Sequence, residues 1–272
     1  MVAKKENLKK QKLLKKQWEK VAQKEKNLIQ KKQSNFTKEK LTPLQVKLEE
    51  KIPKKVQRAL ESAFEAGFKL IFEKGIGIIE KSYNKEAQCA EFDIRHYAVQ
   101  RQMSVKNLNK IDKGARKEVA LNHFLTTVEG SVLGALGIGI PDIPLFIGMM
   151  LKNIYQISLS YGFDYTEEKE RLYILYLICA GASKEERLVR YNSCLNEIAE
   201  AQEEQLKEKY HLEEVIKETA QCLAEAMLIS KFIQGLPIVG IVGGFSNWSM
   251  MKVVSDVAKI KYKKRYLKEK LM

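Results

Sequence analysis

The sequence predicts an all-α protein, a helical bundle with two glycine-rich central helical hairpins and an N-terminal basic helical arm. Three observations predict this class. Capping signals mark helix starts, as in residues 42–45 and 183–186. No segment shows the regular alternation of apolar and polar residues that is typical of a strand. Apolar residues recur at steps of three and four, the spacing of one helix face, most clearly at Val56, Leu60, Phe64, Phe68 and Ile71.

The distribution of charge divides the chain into an arm and a domain. The net charge is +14 over 272 residues, a length sufficient for one sizeable core. Residues 1–60 hold 19 Lys/Arg against 6 Asp/Glu, and residues 252–272 hold 8 against 2, whereas residues 61–251 hold 21 against 26. The positive charge therefore belongs to the two ends. We predict a basic helical arm over residues 1–52 and an all-helical domain over residues 53–272.

The arm is rich in lysine, glutamine and glutamate, which favour a helix. Its apolar residues form a heptad seam of Leu14, Trp18, Val21 and Leu28. Polar residues interrupt this seam, so it is too weak to predict a coiled coil. Two interpretations stay open: a basic amphipathic helix attracted to anionic lipid or nucleic acid, and a solvated arm. The residues predicted to contact a membrane are Lys9, Lys12, Lys16 and Trp18.

An apolar run of membrane-spanning length, residues 130–151, is broken by Pro141, Asp142 and Pro144. We favour a buried hairpin over a spanning helix, because these three residues lie centrally in the run. Two half-helices that meet at Asp142 and form a re-entrant or interfacial hairpin are the alternative. Small or polar residues line one face before the break: His123, Thr127, Gly130, Gly134 and Gly137. Another backbone can pack closely there, and the glycine-rich segment 235–248 is its expected partner. The predicted packing glycines are Gly130, Gly134, Gly137, Gly240 and Gly244.

The helices after the break are predicted from their start and stop signals. One runs from Asp142 to about Tyr161 and stops at Gly162, a residue typical of the left-handed position that follows a helix. Thr166 begins the next helix and Gly181 ends it. Four further helices are predicted at about residues 166–181, 183–209, 213–234 and 245–271.

Two sets of residues carry a resemblance to a known family. The first set runs from Glu129-Gly130 through Ile140-Pro141-Asp142-Ile143-Pro144 to Lys152-Asn153-Ile154-Tyr155 and Tyr161-Gly162-Phe163-Asp164. The second set is Leu236-Pro237-Ile238-Val239-Gly240, Asn247 and Arg265-Tyr266. Together they resemble the signature of the EcsC family over about residues 53–270. That family is named for a bacterial gene product encoded beside an ABC transporter, and no biochemical activity is firmly assigned to it. The resemblance therefore implies a membrane transporter as a candidate partner and no particular reaction.

Polar residues at or near these motifs form the candidate site: His123, Glu129, Asp142, Tyr161 and Asp164. A hydrolase-type enzyme would gather its carboxylates at Glu129, Asp142 and Asp164. Structural roles compete with this interpretation, because Asp142 can cap a helix, Asp164 can form a turn and Tyr161 can be a half-buried aromatic residue. Glu129 requires solvent or a partner, for which Arg265 and Lys152 are candidates. The sequence lacks the G-x-S-x-G, H-E-x-x-H and phosphate-loop motifs.

The cysteines and the N-terminus indicate a reducing compartment. Cys89, Cys179, Cys194 and Cys222 are isolated in the sequence, so we interpret them as buried free thiols. A carboxylate and histidine metal site is a minor alternative, and no metal or cofactor is predicted. The chain begins with lysines and without an apolar segment, so no secretory signal is predicted. We expect a cytoplasmic protein at the inner face of the cell membrane.

The sequence favours a non-enzymatic accessory protein, related to transport or secretion, that binds an anionic membrane surface. Basic ends around an acidic middle suit an anionic leaflet. A hydrolase is the first alternative. Nucleic-acid binding through the arm is the second, and it is disfavoured because the lysines have little aromatic interleaving and no recognisable reading module accompanies them.

Overall fold

A computed structural model describes residues 2–38, 53–115, 142–233 and 244–272. Its regular elements are α1 (Val2–Lys38), α2 (Lys54–Leu70), a π-helical turn (Ile71–Gly75), α3 (Ile76–Lys81), α4 (Lys85–Arg101), α5 (Val105–Ala115), α6 (Asp142–Ser160), α7 (Glu168–Ala182), α8 (Glu185–Glu200), α9 (Glu203–Lys209), α10 (Leu212–Ile233) and α11 (Gly244–Leu271). No strand occurs within these ranges, so the all-α prediction is confirmed.

Helix α7 lies at the centre of one half of the core. Its residues from Leu172 to Ala180 are all buried, whichever side of the helix they are on. A helix that is apolar all round requires partners all round. These are α8, α10 and α11, each of which packs against α7.

Helix α6 organises the other half of the core by packing against α2, α4, α5 and α11. The apolar stripe predicted on α2 is confirmed by its burial, with Leu60, Phe64 and Phe68 at or below 1% exposure. Phe64 meets Phe146 of α6 edge-on, with 6.3 Å between ring centroids. Helix α10 covers a further side of α2. Helix α2 contacts both α6 and α10, and α11 contacts both α6 and α7. The two halves of the described helices therefore form one core.

Helix α1 packs against α11 and, over a shorter length, against α8. Leu14 and Val21 are buried in the core, although the seam to which they belong is too weak to predict a coiled coil. The two helices run antiparallel, because Trp18 lies beside Lys264 whereas Glu25, further along α1, also reaches Lys261. The described part of the arm therefore contributes to the core. The division into residues 1–52 and 53–272 stays a prediction.

The end of α6 confirms the predicted role of Gly162. Its φ is +84°, in the left-handed region. The Phe163 amide donates to the Ser158 carbonyl and the Gly162 amide donates to the Leu159 carbonyl, both at 3.0 Å. This pair of bonds is the Schellman arrangement, in which a left-handed residue after the helix lets the last carbonyls be satisfied. The turn directs Phe163 and the residues after it toward α7.

Several predicted helix boundaries differ from the structure. Helix α7 begins after Glu167 rather than Thr166, and α8 begins after Lys184 without the side-chain cap predicted at residues 183–186. Gly181 does not end α7, which continues to Ala182. A Cβ atom at Gly181 would lie 2.4 Å from Val254 Cγ2, so this glycine permits the close approach of α7 and α11. The predicted helix over residues 183–209 is two helices. A capping box formed by Gln202 and Gln205 starts α9, and it competes with continuation of α8.

Several predictions fall outside the described residues. His123, Glu129, Gly130, Gly134, Gly137 and Gly240 all lie there, so the two glycine-rich hairpins stay predictions. Gly244 is the first residue of α11 and Asp142 the first residue of α6, where a helix start is predicted. Within the described ranges, no helix combines the length and the apolar character needed to cross a membrane.

Candidate functional site

The outer face of α1 carries a regularly spaced row of lysines. Because Leu14, Val21 and Glu25 are buried toward α11, residues about half a turn away point outward. We define the outer face of α1 as Lys5, Lys9, Lys12, Lys16 and Lys20, which recur at steps of three and four and are all exposed. Three of the predicted membrane-contact residues, Lys9, Lys12 and Lys16, therefore share one exposed surface.

This outer face carries a large excess of positive charge, although the exposed carboxylate Glu19 lies beside Lys16 and Lys20. Within the described residues, Lys9, Lys12 and Lys16 form no ion pair. Glu6 pairs with Lys10, at 3.2 Å, beside the outer face. Glu25 is buried on the opposite side of α1, where it pairs with α11. The outer face of α1 is consequently a run of exposed cations along about four turns of helix.

Trp18, the fourth predicted membrane-contact residue, occupies the edge of the packed face. It is half-buried, and the Lys264 ammonium lies 5.8 Å from the centroid of the indole ring. In this arrangement the indole contacts α11 and is separated from the outer face of α1. The outer face of α1 can therefore contact another surface mainly through its lysine side chains.

Helix α11 holds the second basic segment, but five of its seven lysines pair with carboxylates. The ion pairs are Lys259–Asp256, Lys261–Glu25, Lys263–Asp112, Lys264–Glu25 and Lys268–Glu200. Four of these five lysines bind carboxylates on other helices, so they hold the bundle together. Of the two basic ends of the chain, α1 therefore carries the exposed positive charge, a distinction that the sequence alone did not reveal.

Asp164, a predicted catalytic candidate, organises a turn. Its Oδ1 accepts hydrogen bonds from the Thr166 amide at 3.0 Å and the Thr166 hydroxyl at 2.9 Å, and it lies 3.7 Å from Lys85 Nζ. Partial burial would raise the pKa of the Asp164 carboxyl, but these hydrogen bonds and Lys85 together hold it below its usual value. A carboxylate with a lowered pKa is a poor general acid. Asp164 therefore supports the turn interpretation.

Tyr161, another candidate, is fully rather than half buried. Its hydroxyl donates to Asp112 Oδ1 at 3.0 Å, and the other oxygen of Asp112 pairs with Lys263. This contact joins α5, α6 and α11. Tyr161 and Asp164 have different partners, and the described residues do not bring them into a shared site. His123 and Glu129 lie outside the described residues, as does the side chain of Asp142.

The two sets of residues that carry the family resemblance meet at Arg265. Its guanidinium lies 4.0 Å from the ring centroid of Phe163 and 4.2 Å from that of Tyr173. The buried carboxylate of Glu170 accepts hydrogen bonds from Arg265 Nη1, at 2.9 Å to Oε1 and 3.0 Å to Oε2. It also accepts one from the Tyr262 hydroxyl, at 2.5 Å. Arg265 was a predicted partner of Glu129, but in the described structure its carboxylate is Glu170. The sequence could have indicated a buried role for Glu170, because a charge beside the apolar stretch of α7 requires a partner.

A second polar cluster joins α3 and the turn after it to the loop before α7. The Tyr83 hydroxyl donates to the Tyr165 hydroxyl at 2.8 Å, and Tyr165 donates to Glu80 Oε1 at 2.6 Å. Tyr155 stacks on Tyr165 with 3.9 Å between ring centroids. Burial raises the pKa of Tyr165 far above its usual value, so the phenol stays protonated as a donor. Lys152, the other suggested partner of Glu129, donates to the Ser82 carbonyl at 3.0 Å. These contacts stabilise the fold by joining α3, α6 and the loop before α7.

Comparison with known proteins finds two related bacterial sequences. Protein EcsC of Bacillus subtilis (strain 168) is 26% identical over 202 residues, which cover 72% of this chain and 81% of that protein. The uncharacterized protein YdbA of the same organism is 26% identical over 149 residues, covering 53% of this chain and 54% of YdbA. The chain thus spans about half the length of YdbA. No solved structure matches it.

The model of the EcsC protein family matches residues 15–267. The match begins within α1, so it extends further toward the N-terminus than the region that carries the motif resemblance. It includes Glu25, Glu170 and Arg265, which join α1, α7 and α11. On this match, the chain belongs to the EcsC protein family.

Proposed function

We propose that this chain is a peripheral membrane-associated accessory protein that binds an anionic lipid surface through the outer face of α1. One observation carries the proposal: of the two basic ends, α1 presents a row of exposed lysines along one face, whereas most lysines of α11 are engaged within the bundle. A polybasic surface gains about 1 kcal/mol for each Lys or Arg held close to an anionic leaflet. The five lysines of the outer face are sufficient for reversible attachment.

The packing of α1 makes this attachment electrostatic. Leu14 and Val21 are buried against α11, and Trp18 is half-buried, so the apolar side of α1 is already occupied. Binding through the outer face requires no separation of α1 from the bundle. A membrane transporter as partner and a place at the cytoplasmic face of the membrane accompany the proposal as expectations from the family resemblance.

Vesicle sedimentation tests the proposal with the full chain. We expect cosedimentation at low salt with vesicles containing phosphatidylserine or cardiolipin and much less with phosphatidylcholine alone. Physiological salt should weaken it, because exposed charges are screened beyond about 8 Å. Equal binding to neutral and anionic vesicles would instead indicate insertion of apolar segments. No binding to either kind of vesicle would overturn the proposal.

Deletion of the arm is a poor test, although it is the obvious one. Removing residues 1–40 would also remove Leu14, Val21 and Glu25 from their contacts with the bundle. If such a variant no longer bound vesicles, the result could not distinguish unfolding of the bundle from loss of the lysine charges. Charge reversal on the outer face of α1 leaves the packed side intact and is the cleaner change.

A further inference from the structure

Two cysteines that are distant in the sequence form a thiol pair between α7 and α10. Cys179 and Cys222 are both buried, and their sulfurs lie close enough for each to affect the ionisation of the other. Both are free thiols in this structure. Cys179 Sγ also lies 3.3 Å from Thr219 Oγ1. The sequence interpretation of isolated buried thiols is therefore incomplete, because these two thiols are in contact.

Helix α8 and Ser183, which precedes it, place a cation and two hydroxyl groups around Cys222. Arg187 Nη2 donates to Cys222 Sγ at 3.2 Å, and the Ser183 hydroxyl donates at 3.8 Å. The Tyr191 hydroxyl lies 3.1 Å from the same sulfur and 3.1 Å from Glu218 Oε1, so its single proton can go to either. Glu225 pairs with Arg187 and fixes the guanidinium above the sulfur. Donors and a positive charge of this kind favour the thiolate form of a cysteine.

The two sulfurs are consequently unequal. Hydrogen bonds from Cys179 and Tyr191 and the charge of Arg187 lower the pKa of the Cys222 thiol, against the opposing effect of burial. Burial and the neighbouring sulfur of Cys222 raise the pKa of the Cys179 thiol. Other charged groups facing this cluster are Glu218, Glu225 and Arg190, and they are paired with one another or with Arg187. The cation and hydroxyl groups around Cys222 therefore favour the thiolate at Cys222 and the thiol at Cys179.

We propose that Cys222 and Cys179 form a peroxide-reactive pair that closes to a disulfide between α10 and α7. The Cys222 thiolate attacks one oxygen of hydrogen peroxide, the O–O bond breaks, and the departing hydroxide takes a proton to become water. Cys222 is then a sulfenic acid. Cys179 attacks that sulfur, the S–O bond breaks, and a second water leaves as the S–S bond forms. Peroxide gains the two electrons that the two thiols lose.

The environment of Cys222 selects a small oxidant. Cys222 is 3% exposed, and the half-exposed side chain of Arg187 lies over it. Hydrogen peroxide is small enough to enter with a slight movement of Arg187. A bulky disulfide such as oxidised glutathione must bring its own sulfur into line with Cys222, which the packed helices obstruct.

The remaining cysteines provide an internal comparison. Cys89 and Cys194 are more exposed than the pair, so access alone would make them react first. Burial nevertheless raises the pKa of both thiols. If Cys222 is oxidised before the more exposed Cys89 and Cys194, the cause is therefore the cation and hydroxyl groups around its sulfur.

Thiol counting on the full chain tests the inference. The variant Cys89→Ser/Cys194→Ser retains only the pair, and we expect hydrogen peroxide to remove both of its titratable thiols. Peptide mapping should find a Cys179–Cys222 disulfide in the oxidised wild-type chain. In Cys179→Ser, dimedone should label Cys222 as a sulfenic acid, and Arg187→Gln should slow that labelling.

Mapping of the wild-type chain decides the inference even if a substituted chain fails to fold. Retention of both thiols after peroxide treatment, or modification of Cys89 or Cys194 in their place, would overturn it. So would equal labelling rates in Cys179→Ser with and without Arg187→Gln.

Discussion

Glu25 of α1 and Lys261 of α11 form a buried ion pair between the two ends of the chain. Their side chains are 10% and 4% exposed, and Lys264 binds the other oxygen of Glu25. Burial lowers the pKa of Lys261 to about 8, although Glu25 opposes that effect. The junction of α1 with the bundle therefore depends on a charge pair that is costly to bury and more costly to break.

Removing one partner of this pair should destabilise the bundle. Breaking a buried ion pair leaves an uncompensated charge, so we expect Glu25→Ala to lower the free energy of unfolding by about 3–5 kcal/mol. Chemical denaturation followed by circular dichroism measures the change. Glu6→Ala is the matched control, because Glu6 pairs with Lys10 on the exposed part of the same helix. Equal destabilisation by the two changes would refute this account of the junction.

The pH dependence of the same pair has a defined sign. Burial would raise the pKa of Glu25, but Lys261 and Lys264 hold it below the ordinary glutamate value of 4.5. The stability that Glu25 contributes is therefore present above that ordinary value and is lost as the pH falls through its lower folded-state pKa. We expect the stability difference between wild type and Glu25→Gln to shrink in acid. A difference that stays constant from neutral pH to pH values well below 4.5 would contradict the assignment.

Gly181 should tolerate no side chain. A Cβ atom there would lie 2.9 Å from Val254 Cα, a backbone atom that cannot move without shifting α11. Overpacking of this kind costs about 1–3 kcal/mol, so we expect Gly181→Ala to lower the thermal unfolding midpoint. Gly77→Ala is the control, because a Cβ at Gly77 would contact no neighbouring group. It should leave stability unchanged or raise it, since alanine favours a helix by about 1 kcal/mol.

Arg265 should be sensitive to shape as well as charge. Its planar guanidinium contacts Phe163 and Tyr173 while binding Glu170, and lysine can reproduce only the charge. We therefore expect unfolding free energies in the order wild type, Arg265→Lys, Arg265→Met, from most to least stable. Arg101→Lys, at an exposed position, should have no effect. An Arg265→Lys chain as stable as wild type would show that the aromatic contacts are immaterial.

Local chemistry made much of the fold predictable. The spacing of Leu60, Phe64 and Phe68 identified the buried face of α2, and Gly162 marked the end of α6 correctly. The prediction at Gly181 was wrong because a glycine can permit a close contact between helices as well as end a helix. Only the contact with Val254 shows which of these two roles Gly181 has. Such pairings depend on tertiary contacts that one sequence does not display.

The candidate site was less predictable than the fold. Lys9, Lys12 and Lys16 were identified from charge and spacing, and they share the exposed face of α1. The sequence could not show that the lysines of α11 are engaged, because Glu25 lies more than two hundred residues from its partners. The Cys179–Cys222 contact was missed for the same reason, since each cysteine is isolated along the chain.

Charge reversal on the outer face of α1 tests the central claim most directly. The variant Lys9→Glu/Lys12→Glu/Lys16→Glu changes exposed residues only, and Lys106→Glu/Lys110→Glu/Lys113→Glu makes the same change of charge on exposed positions of α5. We expect the first variant to lose sedimentation with phosphatidylserine vesicles while keeping the wild-type unfolding midpoint, and the second to sediment nearly as wild type does. Equal loss in both variants, or none in the first, would contradict the assignment of lipid binding to α1.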